Sequence, residues 1–178
     1  PSVYATNNSS FKDLTLEINE DIYFLYATAF KKLKFTGTNS IIKSNGNTFE
    51  VTSADETAIE NFSATNYIEG GVTRAVNATG TYIFPGRPEN LTYEPATLTL
   101  NNLQGVQKIK AEFKSFVSVS APIYKFPDGS IISGVLGSGS YGNSVKFSSE
   151  SVPTSGTYNI TLQRSVFSNG VLDANKER

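Results

Sequence analysis

The chain of 178 residues carries 15 basic and 16 acidic side chains, a formal charge of -1, and contains no Cys, His, Met or Trp. Those absences exclude a disulfide framework, a thiolate metal site and a thiol nucleophile, and they remove the usual general base and the commonest zinc ligand. The near-balanced charge supplies no field that would hold nucleic acid or an anionic membrane. Ser, Thr and Asn are abundant while charged residues are only 17%, a neutral polar coat that suits an extracellular or cell-surface setting. The length supports one domain with a self-sufficient core. No apolar run is long enough for a spanning helix, and residues 1–10 lack the basic and apolar regions of an export signal.

Residues 1–10 read as a loose segment or a donated strand, and the β domain is expected over residues 11–172, with a sub-boundary near residue 66. Leu14, Leu16 and Ile18 alternate with Thr15 and Glu17, the period of a half-buried strand. Residues 22–30 are apolar almost throughout; their Tyr and Phe content favours a buried strand over a helical turn. Residues 32–36 and 41–42 make further short strands, and Asn45-Gly46 predicts a two-residue hairpin before residues 48–52. Closely spaced short strands suit a meander, and equally the rungs of a parallel solenoid with Asn and Gly at its corners. Ser53 as N-cap, with Glu56 three residues on and Ala58, Ile59 and Phe62 behind, predicts a two-turn helix over residues 53–62.

Residues 66–100 hold the densest pattern. Residues 72–76, 81–84 and 96–100 step with period two, and Gly70-Gly71, Gly80 and the Pro85–Pro88 cluster stop the strands between them. Further on, Ile109, Ala111 and Phe113 alternate with Lys108, Lys110, Glu112 and Lys114, and outward lysines of this kind mark a sheet edge. Residues 125–130 form a Pro-Asp-Gly turn, and residues 131–143 a glycine-rich loop without the spacing of a phosphate cradle. The last strands fall at residues 144–148 and 157–163, and residues 173–178 form a polar tail.

The run Asn66-Tyr-Ile-Glu-Gly70, with Val72-Thr-Arg74, Gly80-Thr-Tyr-Ile-Phe-Pro85 and Tyr93-Glu-Pro-Ala-Thr-Leu-Thr-Leu100, resembles modules of large surface and secreted proteins of Bacteroidetes. Residues 46–51 and 156–162 extend the likeness over roughly residues 35–165. The resemblance implies export by the type IX route and a cell-surface or gliding-associated parent, and it carries no catalytic residue. One departure stands out: Gly86 follows Pro85 directly, where related modules usually place an aliphatic residue between proline and glycine.

The chemistry on offer is sparse. Paired acids among Glu17, Glu20, Asp21, Asp55, Glu56, Glu60, Glu69, Glu89 and Glu94 would serve a His-free glycosidase, although most sit at turns or on outer faces. Glu69 and Arg74 suit a buried ion pair between strands. Residues 19–21 and 128–130 supply only part of a calcium loop, so no metal and no cofactor is expected. Tyr82 and Tyr93 flank a turn holding Arg87, the best set for the rim of a sugar site, with core packing as the simpler role. Asn7, Asn8, Asn61, Asn77, Asn90 and Asn159 head Asn-x-Ser/Thr sequons. These features together predict an all-β protein: a sandwich of short antiparallel strands with one short helix and a first third that also suits solenoid rungs. The expected function is a non-enzymatic extracellular, structural or adhesive module, whose partners are neighbouring modules, like subunits or surface glycans. A carbohydrate-binding module is the alternative.

Overall fold

The computed structural model describes residues 2–3, 10–87, 93–116, 124–125, 131–132 and 142–162. Among these, the strands in chain order are β1 (Ser2–Val3), β2 (Ser10–Ile18), β3 (Ile22–Phe24), β4 (Thr28–Phe35), β5 (Ser40–Lys43), β6 (Phe49–Val51), β7 (Ile59–Glu60), β8 (Asn66–Glu69) and β9 (Gly71–Ala75). They continue as β10 (Gly80–Phe84), β11 (Gly86–Arg87), β12 (Ala96–Gln104), β13 (Lys108–Phe116), β14 (Tyr124–Lys125), β15 (Ile131–Ile132), β16 (Gly142–Ser149) and β17 (Ser155–Leu162). The protein is all-β. No helix among the described residues is long and apolar enough to cross a membrane. Residues 126–130 and 133–141, where a turn and most of a glycine-rich loop are expected, lie outside the described residues, as does the tail at 173–178.

Up to β11 the chain winds as a solenoid-like stack, and each coil gives one strand to either of two parallel sheets. The first sheet runs β1-β3-β5-β8-β11; in the second, β2, β4, β6 and β9 pair side by side. Register is kept although coil length is not: Tyr23 pairs Lys43 and Ile42 pairs Ile68, the second return being the longer. Antiparallel pairing involves β9, β10 and the strands that follow the stack. β13 adds to β9 and β16 adds to β13, while β10, β12 and β17 form a separate three-stranded antiparallel sheet. The expected sandwich of antiparallel strands is not what the chain builds: antiparallel pairing is confined to this later part, and the first half is parallel, with long returns between paired strands.

Side chains at matching positions of successive coils form rows. Ile22, Ile42 and Ile68 stack along the inner face of the first sheet, and Phe49, Val72 and Ala111 along that of the second. All belong to one buried cluster, joined by Phe24, Phe30, Leu33 and Phe35. Phe24 lies 5.3 Å from Phe49 and stacks with it. The isoleucine row ends at Gly86, which pairs Ile68, and the ring of Phe113 from β13 fills the space a side chain would take there. The Pro85-Gly86 sequence thus has a packing cause, because any β-carbon on Gly86 would run into that ring.

Several local signals act differently from their sequence reading. The Asn45-Gly46 turn is real, with φ of 49° and 78° and Asn47 N–H donating to Ser44 O, but β5 and β6 on either side belong to different sheets. It is a coil corner and not a hairpin. The apolar run 22–30 divides into β3 and β4, with the chain bending between them. The helix expected over residues 53–62 is absent. Ser53 Oγ accepts from Asp55 N–H, Asp55 Oδ1 accepts from Thr57 N–H, and the helix-start residues become two successive side-chain turns. Ile59 is then drawn into the sheet beside Leu33, whose N–H bonds Ala58 O. The lysine-bearing β13 is no edge, since β9 and β16 flank it.

Gly86→Ala should lower the unfolding free energy by about 1–3 kcal/mol in chemical denaturation through overpacking. The same change in a Phe113→Leu background should cost less, because the smaller side chain gives room.

Candidate functional site

Two polar constellations distinguish the stack from inert packing. The first is internal. Arg74 lies in an inward row, in register with Val51 on one side and Ile109 on the other, and has no solvent exposure. Its guanidinium donates to Ile83 O at 2.7 Å, Asp55 O at 3.0 Å and Glu56 O at 3.1 Å. The rings of Tyr82 and Phe84 approach its Cζ at 5.3 and 5.9 Å. Burial depresses its pKa to about 10, which leaves it charged at neutral pH. Carbonyl dipoles and ring faces thus take the place of a carboxylate, and Arg74 ties the last coil to the 54–57 turn and to β10. The expected Glu69–Arg74 pair does not form: Glu69 bonds Arg87 at 3.2 Å instead.

The second constellation lies on the outer face of the first sheet. Tyr23, Lys43, Glu69 and Arg87 occupy matching positions on β3, β5, β8 and β11, one per coil. Lys43 Nζ donates to Tyr23 OH at 3.1 Å and lies 4.9 Å from that ring's centroid, and the hydrogen bond raises its pKa. Arg87 covers the Tyr67 ring at 4.5 Å, and Tyr67 meets Tyr93 at 5.8 Å. Burial drives the Tyr93 hydroxyl up to about 12. Beside this row, at the corner toward β13, lies a polar cleft of about 490 Å³ lined by Tyr23, Lys43, Glu69, Lys110, Glu112 and Lys114 with the 44–47 turn. Ser44 stitches the corner: its hydroxyl donates to Glu69 O and accepts from Gly71 N–H.

Of the residues expected at a sugar rim, Arg87 and Tyr93 both pack on Tyr67. Tyr82 has no solvent exposure; its hydroxyl donates to Ala54 O and accepts from Asn77 N–H, so it presents no ring face to solvent. Among the sequon asparagines, Asn61 and Asn77 spend side-chain amide hydrogens on Phe35 O and Ala54 O, and Asn159 is exposed on β17. Asn7, Asn8 and Asn90 lie outside the described residues. No group of three Asp or Glu side chains that could hold a metal occurs among the described residues. Asp21 accepts from Ile41 N–H, and Asp128 lies outside the described residues. The inward Arg74 is legible in sequence as the shared face of Val72 and Val76. The Tyr23–Lys43–Glu69–Arg87 row has no such signal, because unequal coil lengths hide its period.

No protein-family model, curated protein or solved structure matches the chain.

The 54–57 turn carries a titration test. A hydrogen bond from Lys32, joined by the N–H and hydroxyl of Thr57, lowers the Asp55 pKa from 3.8 to about 2. A depressed carboxylate stabilises the fold above its unfolded pKa, so this contribution should be present above about pH 4 and lost as pH falls through about 2. Carboxyl NMR should give an Asp55 midpoint near 2, moving up toward 3.8 in Lys32→Gln.

Proposed function

We propose that the chain is a non-enzymatic structural or adhesive module of a bacterial surface or secreted protein, joined to like subunits by strand addition at its first coil. The observation that carries this reading is the open flank of that coil. β2 ends its sheet with one edge unpaired among the described residues. Of the seven exposed large apolar side chains described, Phe11, Leu14, Leu25 and Tyr26 fall within residues 11–26, besides Tyr23 of the outer row. Phe11 already stacks on Phe30 at 5.1 Å, so the ring row offers a seat to another coil. Between Phe11 and Thr15 the register slips against β4, and this irregularity carries Lys12 and Asp13 alongside Leu14. An incoming strand has to match both charge and apolar surface, the usual guard against indiscriminate edge pairing.

In the second sheet the opposite flank is taken by antiparallel β13 and β16, so parallel addition to that sheet is directed to β2. The neutral polar coat and the resemblance to Bacteroidetes modules support an extracellular or cell-surface address. A non-enzymatic role is supported by the acids themselves: Glu17, Asp55, Glu69 and Glu112 are each ion-paired with a Lys or Arg.

Light scattering should detect concentration-dependent self-association that Leu14→Lys weakens and deletion of residues 1–10 abolishes. Assembly that survives both changes, or its absence up to about 1 mM protein, contradicts the proposal.

A further inference from the structure

We infer that the corner cleft between the first sheet and β13 is a binding site for an acidic saccharide, whose carboxylate or sulfate seats against Lys43 while its hydroxyls meet the 44–47 turn. This inference is independent of strand addition at the first coil, which uses the far edge of β2.

Charge is the first ground. The cleft is lined by three lysines against two glutamates. Glu69 is held by Arg87 at 3.2 Å, and Glu112 is shared, its two oxygens 2.9 Å from Lys110 Nζ and 3.6 Å from Lys114 Nζ. Lys43 has no carboxylate within ion-pair distance among the described residues, although its register partner Glu69 and Asp21 lie near enough to favour its charge; its ammonium is steadied by the Tyr23 hydroxyl and ring. A cation held in place by a neutral partner keeps its charge for a ligand and loses little side-chain freedom when the ligand arrives.

Shape and polarity are the second ground. The site is a concave corner of about 490 Å³, large enough for a sugar ring or two. Asn45, Gly46, Gly70 and Gly71 bring backbone close to its surface, and Asn45 and Gly46 adopt left-handed conformations that turn the chain there. Gly70 is fixed as glycine by its φ of 102° and by Ser44 Oγ, which occupies the place of a β-carbon. Amides, hydroxyls and backbone groups match a hydroxyl-rich ligand. An acidic peptide would bring apolar side chains for which the lining offers only Tyr23 and Phe113. The site recurs nowhere else along the described stack, because it requires the outer row and the lysines of β13 together.

The test is isothermal titration of the full chain with three oligomers: a galacturonate for carboxylate, a dextran sulfate for sulfate, and dextran as the neutral control. Saturable binding of either acidic oligomer, with none for dextran, is expected, and the stronger of the two assigns the anion. Lys43→Gln should weaken it about tenfold, the scale of one charge-assisted hydrogen bond. Lys12→Gln, on β2, should leave it unchanged. Circular dichroism checks that Lys43→Gln is folded; if it is not, the more exposed Lys114→Gln takes its place with a smaller expected loss. No binding of either acidic oligomer, equal binding of dextran, or affinity unchanged in the folded lysine variant would overturn the assignment. Light scattering of the same Lys43→Gln sample should be unaltered, which separates this site from the self-association surface.

Discussion

The backbone ladder between successive coils is the constraint from which the rest of this structure follows. Each strand of the stack bonds to the strand one coil earlier, about 4.8 Å away, and to the one a coil later. Side chains at matching positions therefore form continuous rows, inside and out. Inside, the rows favour flat or branched apolar groups that stack on themselves, as Ile22, Ile42 and Ile68 do. Outside, the same geometry lines up Tyr23, Lys43, Glu69 and Arg87. Coil length is free to vary because the corners absorb the difference. They are held by buried polar groups: Asn66 accepts from Ser40 N–H and donates to Gly37 O and Asn61 O, and Ser44 bridges Glu69 and Gly71.

A stack of this kind has to be terminated, and here termination uses two devices. Gly86 leaves a space in the isoleucine row that Phe113 enters from β13, coupling the parallel stack to the antiparallel strands that follow. Arg74 puts a charge into an inward row, where three carbonyls accept from its two terminal nitrogens and Nε is left without a partner. Truncating Arg74 would remove a donor shared by Ile83 O, Asp55 O and Glu56 O, so the cost would reach both the 54–57 turn and β10. The two devices tie the later coils to the strands that follow, in contrast with the apolar flank of β2.

Strand character is legible in the residues because period two and β-branched or aromatic content are local signals. Corner chemistry is legible too, at Asn45-Gly46 and around Gly70. Pairing partners are not. An Asn-Gly turn reads as a hairpin when only its neighbours in sequence are considered, and nothing local says that Lys43 meets Glu69 and not Thr48. The helix expected at residues 53–62 fails for a related reason: Ser53 and Asp55 satisfy local N–H groups equally well in side-chain turns, and the row beside Leu33 claims Ile59. The outer row of Tyr23, Lys43, Glu69 and Arg87 falls at unequal intervals along the chain, so no fixed period announces it. Arg87 and Tyr93 stand out by their turn, but Tyr67, on which both pack, is separated from them by β9 and β10.

Register across coils is the claim on which the inner rows, the outer row and the corner cleft all depend, and a chain free of cysteine allows it to be read directly. Two double variants should be oxidised under mild conditions, Lys43→Cys with Glu69→Cys and Lys43→Cys with Thr48→Cys, and the intramolecular disulfide yield of each measured by mass spectrometry. In-register parallel strands bring the first pair within bridging distance, so it should oxidise fully while the second stays largely reduced. Efficient bridging of residues 43 and 48 with little between 43 and 69 would show a hairpin in place of a coil corner and contradict the stacked arrangement.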